Sequence, residues 1–285
     1  MSIKKNFMTF LLKCFDRSLS IIGERNRHYA LAHIYETLTP IKKMNVASKE
    51  VLYYCPGNVP LWRAETMLTK DPDTIKWIDS FQNDAVFMDI GANIGVFSIY
   101  SAVRHQNKVY AFEPDASNYC ILNKNIEINK LHKSISAYCI GLNNENGFGL
   151  LNMEDTSFGS AVKTFGGKAV DVIKFGNHSK HVNFTQGSFG LTVDSICSEF
   201  KLVIPNYIKI DVDGIEEQII DGAMQTFQNK EVKSIVVELE TSKETYKEVI
   251  GRIESTGLKL EKISHGPDAD NSDFQDAYNH FFYRT

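Results

Sequence analysis

The chain has 285 residues, 43% of them hydrophobic, which is enough for one sizeable core and a smaller second unit. Residues 1–50 carry nine Lys or Arg against four Asp or Glu, so the rest of this −4 chain carries −9, a balance that disfavours broad nucleic-acid binding. Five scattered cysteines favour reduced thiols and a cytoplasmic location over a disulfide framework or a zinc site, and the longest uncharged run, 14 residues, is too short for a membrane span.

The first 45 residues are predicted to form a helical extension. Apolar side chains recur at helical spacing from Ile3 to Phe15, with lysines and Arg17 on the other faces. We expect this helix to pack on its own domain or on a partner subunit, and a peripheral position on an anionic membrane surface is the alternative. A second helical pattern covers about residues 27–38 and stops before Pro40.

Residues 46–285 are expected to form the main domain, beginning with a short strand at Tyr53-Tyr54 that enters a turn. Asp71 and Pro72 predict the start of a helix, since Asp71 suits the N-cap and Pro72 suits the first helical position. The buried stripe of this helix is predicted to contain Ile75, Ile78 and Phe81.

From residue 85 onward, strand patterns alternate with helix patterns, which is typical of a parallel sheet with helices on both faces. The strands are predicted near residues 85–90, 108–113, 135–140, 206–212, 234–239, 258–264 and 280–284. The helices are predicted near residues 94–105, 115–129, 214–228 and 242–256. For the last helix, Thr241 and Glu244 predict a capping box, and Gly257 predicts its end.

Two features break this alternation. Residues 143–200 are rich in glycine, contain short β-like runs and end in a helix near 194–199. An insert of this length is usually functional or else a linker. The final strand follows its predecessor through a loop without a helical pattern, which predicts a hairpin and therefore an antiparallel last strand.

The strongest functional signal is the run DIGANIG at residues 89–95, which leads from a strand into a helix. Glu113 and Pro114 follow the next strand, and Glu113 stands 24 residues after Asp89. This layout is typical of a nucleotide-type cofactor site at the carboxyl end of a parallel sheet. The simpler alternative is that Asp89 and Glu113 are strand-end acids that only cap helices.

Two cofactors compete for this site. A dinucleotide oxidoreductase requires a third glycine, which the helix lacks, and the two phosphates of NAD would face the acids Asp89, Glu113 and Asp211. S-adenosylmethionine carries a sulfonium and an ammonium group, for which acids are a favourable lining. We therefore predict S-adenosylmethionine, with an NAD-type oxidoreductase or a non-catalytic cofactor-binding scaffold as less favoured alternatives.

In this interpretation Gly91 lets the backbone pass close to the methionine part of the cofactor, and the N–H groups at Asn93–Gly95 meet its carboxylate. Asp89 orients the ammonium group, directly or through water, and Glu113 accepts both ribose hydroxyls. The adenine is expected against residues 140–143. The predicted cofactor-binding residues are Asp89, Gly91, Ala92, Asn93, Gly95, Glu113, Pro114 and Asp211.

Several blocks together resemble a known family. They are residues 89–95, 112–114, 207–216 (YIKIDVDGIE) and 221–223 (DGA), with flanking blocks at Arg63, 71–74 and 192–195. Over roughly residues 50–285 the chain resembles the FkbM family of S-adenosylmethionine-dependent methyltransferases. The first block is shared by many methyltransferases, so the block at 207–216 makes the resemblance specific. Residues 1–45 lie outside the resemblance.

The resemblance implies an α/β Rossmann-like class I methyltransferase fold with a mostly parallel seven-stranded sheet and an antiparallel last strand. It also implies methyl transfer to a hydroxyl oxygen of a sugar, glycan or other natural product. We therefore expect a small-molecule or glycan acceptor, bound in part by residues 143–200. A nucleic-acid or N-directed methyltransferase of the same fold is the alternative, and the acidic body of the chain argues against it.

Methyl transfer to a hydroxyl requires an acceptor for its proton at the carboxyl ends of the strands. Asp211 ends the fourth strand of the alternation and is the predicted base or orienting group, with a helix N-cap as its structural alternative. Glu238 ends the fifth strand and is predicted to act as base or acceptor anchor in the same cleft. Lys209 shares a strand face with Asp211 and would keep one of these acids ionised.

Other polar residues are weaker candidates. Asp213 and Glu216 are predicted to be helix-start charges. His265 would suit a general base, although a loop histidine is more often a surface residue. No metal site is predicted, because the spacing of Asp211, Asp213 and Glu238 permits a magnesium ion without requiring one.

Overall fold

The computed structural model describes residues 2–175, 178–267 and 275–284. The chain divides into two compact units, Met1–Pro40 and Ile41–Thr285. The second unit therefore begins five residues before the predicted start at residue 46. The reason is that β1 (Ile41–Val46) pairs antiparallel with β2 (Lys49–Tyr54), so that residues 41–45 belong to a hairpin of the main domain.

The first unit consists of α1 (Ser2–Leu19), a 3₁₀ turn (Ser20–Ile22) and α2 (Glu24–Leu38), close to the two predicted helices. Two hydrogen bonds join the guanidinium of Arg27 to the carboxylate of Asp16, at 2.9 and 2.6 Å. No side chain described within this unit is buried. Its contact with a partner subunit or a membrane surface stays a prediction. Across the described ranges, every helix is too short or too polar to cross a bilayer.

The main domain continues with α3 (Asn58–Glu65) and α4 (Pro72–Asp79). Asp71 occupies the N-cap position of α4 and Pro72 its first turn, as predicted, although the Asp71 side chain makes no capping hydrogen bond. The predicted stripe of Ile75, Ile78 and Phe81 is buried.

The remaining elements follow in three groups. The first group is β3 (Val86–Ile90), α5 (Val96–His105), β4 (Lys108–Phe112), α6 (Ala116–Ile128) and β5 (Ile135–Tyr138). The insert contains β6 (Gly141–Leu142), β7 (Gly147–Met153), β8 (Lys163–Gly166), β9 (Val172–Phe175), β10 (His178–His181), β11 (Phe184–Leu191) and α7 (Val193–Ser198). The last group is β12 (Tyr207–Ile210), α8 (Glu216–Asp221), α9 (Met224–Gln228), β13 (Ser234–Glu240), α10 (Tyr246–Glu254), β14 (Leu258–Ser264) and β15 (Ala277–Arg284).

The central sheet has seven strands in the order β14-β15-β13-β12-β3-β4-β5. Strand β15 runs antiparallel to both of its neighbours, whereas β13, β12, β3, β4 and β5 are mutually parallel. The predicted fold is confirmed, including the antiparallel last strand. Because the five parallel strands point the same way, their carboxyl ends meet at one edge of the sheet.

Side chains alternate across this sheet and fill a core on each face. Phe87, Tyr207 and Val236 lie in the core that α4 and α5 cover. Met88, Ile208 and Ile235 lie in the core on the opposite face. Both cores are mainly apolar, with Asp89 and Lys209 buried within β3 and β12, and the other acids of interest lie at or beyond the ends of the strands.

Two predicted helices differ from the observed ones. The single helix expected over 214–228 is interrupted, because the backbone of Asn143 packs against Gly222, where a Cβ atom would lie 2.2 Å from the Asn143 carbonyl oxygen. The capping box at Thr241 is wrong, since the backbone N–H of Thr241 donates to the Asp276 carbonyl at 2.9 Å. This bond extends the end of β13, so α10 begins only at Tyr246.

The insert folds into a four-stranded sheet, β6-β11-β7-β8, and a separate β9–β10 hairpin. The ring of Phe165 covers three glycines of this sheet. A Cβ atom added at Gly141, Gly149 or Gly190 would lie 2.7, 2.6 or 2.5 Å from the ring. These three glycines are therefore a packing requirement for one buried aromatic side chain.

Truncation of this ring should weaken the domain. We expect Phe165→Ala to lower the free energy of unfolding by about 3 kcal/mol, because it removes a buried ring and leaves a cavity that the three glycines do not fill. The matched control is Phe148→Ala on the neighbouring β7, where the side chain is 91% exposed and the expected change is within about 0.5 kcal/mol. Urea denaturation of both variants measures the difference, and equal losses would contradict this packing.

Candidate functional site

Four parallel strands contribute polar residues to one edge of the sheet. Asp89 lies in β3, Glu113 directly follows β4, Asp211 directly follows β12, and Glu238 lies near the end of β13. Asp211 and Glu238 follow the registered pair Ile210–Val237, so they lie side by side on neighbouring strands. The edge opens into a cavity of about 430 Å³, which is large enough for a drug-sized ligand.

A close backbone contact closes the floor of this cavity. Gly91 has φ of +81°, and a Cβ atom there would lie 1.9 Å from the carbonyl oxygen of Asp211. Only glycine accommodates both the left-handed conformation and this approach. The N–H groups of Gly91 and Ala92 both donate to the Phe112 carbonyl at 3.0 Å. The loop after β3 is therefore fixed between the ends of β12 and β4.

A buried lysine lies beneath the acids. The Lys209 side chain is 2% exposed, pairs in register with Asp89, and donates a hydrogen bond from Nζ to Asp211 Oδ2. Its ammonium also lies 4.8 Å from the centre of the Phe97 ring. Burial alone would lower the pKa of Lys209, but the carboxylates of Asp211 and Asp89 outweigh that effect and raise it. Lys209 is therefore a fixed positive charge inside the sheet.

The two neighbouring carboxyls Asp211 and Glu238 have opposite pKa shifts. Burial tends to raise the pKa of Asp211, but Lys209 and Lys70 outweigh it and hold the pKa below its ordinary value. Burial, and then the charge of Asp211, raise the pKa of Glu238 well above its ordinary value. The pKa values of two neighbouring carboxyls are therefore shifted apart, the arrangement that separates acid and base roles in an active site.

Glu113 fixes the loop after β3 through a hydrogen bond to its backbone. Its Oε2 accepts the N–H of Asn93 at 2.8 Å, and its Oε1 accepts the N–H of Asp115 at 2.9 Å. Burial raises the pKa of Glu113 to about 7. A carboxylate oxygen can accept two hydrogen bonds, and each oxygen of Glu113 accepts one of these two N–H groups. Each oxygen therefore keeps one acceptor position for a ligand.

The predicted site residues divide into two groups. Those that line the cavity are Gly91, Asn93, Glu113, Pro114, Asp211 and Glu238. Those that lie outside its lining are Asp89, Ala92, Gly95 and Lys209. Asp89 Oδ2 accepts a 2.5 Å hydrogen bond from Ser98, while Oδ1 is buried without a hydrogen-bond partner in the described structure. Residues 140–142, expected beside the adenine, and His265 also line the cavity.

Asp213 and Glu216 have structural contacts. Asp213 lines the cavity and accepts the backbone N–H of Lys163 at 2.8 Å, which attaches the insert to the end of β12. Glu216 is the first residue of α8, as predicted, and accepts the N–H of Gly214 at 3.1 Å. Burial raises the pKa of Glu216 to about 8. Within the described part of the chain, no group of three or more His, Cys, Asp or Glu side chains is placed to hold a metal ion.

Two residues that line the cavity, Lys163 and Arg63, have no role predicted from the sequence. Lys163, from the insert, forms an ion pair with Asp115 and donates to the Ser160 carbonyl at 3.0 Å. Arg63, in the last turn of α3, donates from Nε to the Gly159 carbonyl at 2.6 Å. The Lys163–Asp115 and Arg63–Gly159 contacts join segments far apart in sequence, so no local sequence pattern marks Lys163 or Arg63. The resemblance of Arg63 to a flanking block was the one available signal.

Comparison with known proteins identifies the family. Residues 89–260, more than half of the chain, match the methyltransferase FkbM domain. The chain belongs to the FkbM methyltransferase family. It is 24% identical over 187 residues to Methyltransferase 1 of Beauveria bassiana, covering 63% of this chain and 74% of that protein. It is 34% identical over 71 residues to Methyltransferase sdnD of Sordaria araneosa, covering 25% of this chain and 27% of that protein.

A solved FkbM methyltransferase from Methylobacillus flagellatus is also similar, with 16% identity and a TM-score of 0.49. The similarity covers 71% of this chain and 44% of that protein, so this FkbM chain spans less than half of the length of the solved relative. The family resemblance predicted from the sequence is confirmed, and S-adenosylmethionine is the methyl donor of this family.

The residues of the FkbM site fit that cofactor. Gly91 leaves room where a Cβ atom would block the backbone contact, and Glu113 keeps acceptor positions for hydroxyl groups. Asn93, which lines the cavity, has a buried Oδ1 acceptor without a partner among the described residues. An excess of acceptors and carboxylates suits a ligand with hydroxyl, ammonium and sulfonium groups.

The burial of Glu216 gives a pH-dependent stability. Its pKa is about 8 in the folded protein, above the ordinary 4.5, so its contribution is complete at acidic pH and is lost as the pH rises through 8. We expect Glu216→Gln, which stays neutral, to gain stability relative to wild type between pH 5 and pH 9, by about 2 kcal/mol or more. Urea denaturation across this range measures the difference. Glu248→Gln on α10 is the exposed control, and a constant offset for Glu216→Gln would refute the shift.

Proposed function

We propose that this protein transfers a methyl group from S-adenosylmethionine to a hydroxyl oxygen of a sugar, glycan or other natural-product acceptor. The observation that carries the proposal is that Asp211 and Glu238 lie side by side at the edge of the cofactor cavity, with the pKa of Asp211 lowered and the pKa of Glu238 raised. A hydroxyl group needs both a proton acceptor and a group that orients its oxygen, and these two carboxyls provide them.

The cofactor would be held by the loop after β3 and by the end of β4. Glu113 accepts the ribose hydroxyls, and the backbone at Gly91 allows the methionine part to lie close to the loop. Asp89 and Asp211 provide negative charge near the positive groups of the cofactor. When bound, S-adenosylmethionine supplies an electrophilic methyl group on its sulfonium.

Asp211 takes the proton of the acceptor hydroxyl at a carboxylate oxygen. A lowered pKa does not prevent this, because the hydroxyl becomes strongly acidic as its oxygen forms the new bond to carbon. Lys209 keeps Asp211 ionised and holds Oδ2, so that Oδ1 is the oxygen available to the acceptor. Glu238, as a carboxylic acid, donates a hydrogen bond that positions the acceptor oxygen.

The insert lies on the acceptor side of this site in the proposal. Ser160, Ala161, Lys163 and Phe165 of the insert line the cavity. The apolar face of Phe165 and the polar backbone around Ser160 suit a ligand with both hydroxyl groups and a carbon skeleton. A nucleic-acid acceptor is disfavoured, because its phosphates would meet an acidic cavity edge and a body of charge −9.

Incubation with methyl-labelled S-adenosylmethionine tests which class of acceptor the protein methylates. With extracts of host glycans and polar metabolites, wild-type protein should form an alkali-stable labelled ether, whereas total RNA should stay unlabelled. Asp211→Asn should lower this rate by about 100-fold or more, because the hydroxyl proton loses its acceptor. Thermal melting checks that this variant folds.

The matched control is Asp221→Asn, which changes an exposed aspartate that pairs with Arg252 on the surface. We expect it to methylate within about twofold of wild type, as surface substitutions usually have small effects. Labelled RNA, or an Asp211→Asn rate close to that of wild type, would refute the proposed acceptor class or the role of Asp211 respectively.

A further inference from the structure

Arg63 is a cation in the cavity lining that forms no ion pair with the part of the chain that the structure describes. It lines the cavity together with Asp71, Glu113, Asp211 and Asp213, whose charges all act on it. Yet none of the carboxylates in the described ranges lies within 4.0 Å of its guanidinium. Among the described residues its hydrogen bond runs from Nε to the Gly159 carbonyl, which leaves both terminal NH₂ groups for a ligand.

The lysines around the cavity differ from Arg63 in this respect. Lys163 forms a buried ion pair with Asp115, Lys209 bonds to Asp211, and Lys70 lies 3.8 Å from Asp71. Arg63 is half-buried in the cavity wall, and burial lowers its pKa. A guanidinium whose terminal groups make no ion pair with the described residues is a favourable partner for an anionic ligand group.

The position of Arg63 associates it with the cofactor loop. Gly159, which accepts from Arg63, is followed by Ser160, and the Ser160 carbonyl accepts the side-chain amide of Asn93 at 3.1 Å. Arg63 and Asn93 are therefore bonded to consecutive peptide groups. The guanidinium lies at the loop where the methionine part of the cofactor is expected.

The loop itself offers few free donors for a carboxylate. The N–H of Asn93 donates to Glu113 at 2.8 Å, and the N–H of Gly95 donates to the Ala92 carbonyl at 2.8 Å. The N–H groups of Gly91 and Ala92 donate to Phe112. Of the three backbone donors expected from the sequence to meet the cofactor carboxylate, those of Asn93 and Gly95 are thus bonded within the protein.

We propose that the terminal NH₂ groups of Arg63 bind the carboxylate of the methionine part of S-adenosylmethionine. A guanidinium matches a carboxylate with two parallel hydrogen bonds, which a lysine does not provide. This assignment rests on the proposed function, because it takes the same cofactor. It makes α3, upstream of the matched methyltransferase domain, part of the cofactor site.

Calorimetric titration with S-adenosylmethionine and with its decarboxylated analogue tests the assignment. The analogue keeps the sulfonium and ammonium groups and lacks only the carboxylate. We expect wild type to bind S-adenosylmethionine about 10- to 100-fold more tightly than the analogue. Arg63→Gln should lose this preference and leave binding of the analogue within about threefold. Arg63→Lys, which keeps the charge, should retain part of the preference.

Arg104→Gln is the matched control, because Arg104 lies on α5 outside the cavity lining and pairs with Asp79, and it should keep the wild-type preference. Equal affinity of wild type for the two ligands would overturn the assignment without any variant. Equal losses for both ligands in Arg63→Gln would show a structural role instead. An unchanged preference in Arg63→Gln would place the carboxylate elsewhere. Failure of wild type to bind either ligand would refute the proposed function itself.

Discussion

The ammonium of Lys209 is buried in the central sheet, and the acids of the neighbouring strands lie around it. Its register partner is Asp89, its hydrogen-bond partner is Asp211, and its charge acts on Glu238. Removing this cation would leave buried carboxylates without a counter-ion, which is more costly than the loss of one surface ion pair. The electrostatics of the whole cavity edge therefore depend on one side chain that does not line the cavity.

The protonation pattern of the site follows from this arrangement. One buried ammonium favours the ionised form of its bonded neighbour, Asp211, and the resulting charge disfavours ionisation of the next acid, Glu238. The contact between Gly91 and the Asp211 carbonyl fixes the ionised residue relative to the cofactor loop. The end of β12 thus determines both the position and the charge of Asp211. A methyl-transfer site needs its reacting groups to be positioned and its charges to be fixed in advance.

The sequence predicted the sheet well, since each strand and helix carried its own periodicity and the last strand lacked a crossover helix. It also placed Glu113, Asp211 and Glu238 at one edge, because the carboxyl ends of parallel strands must meet there. Contacts between distant segments were not predictable. The Asp276 carbonyl that delays α10, and the Gly159 carbonyl that holds Arg63, depend on tertiary packing that no local pattern encodes.

The central claim is that Asp211 is ionised while Glu238 beside it is protonated. Carbon-13 NMR of carboxyl-labelled protein, with Asp211→Asn and Glu238→Gln used to assign the two signals, measures both states directly. We expect the Asp211 signal to titrate below the ordinary pKa of an aspartate and the Glu238 signal to titrate well above the ordinary pKa of a glutamate. Two carboxyls that both titrate at their ordinary pKa values, or a Glu238 that ionises before Asp211, would contradict the claim.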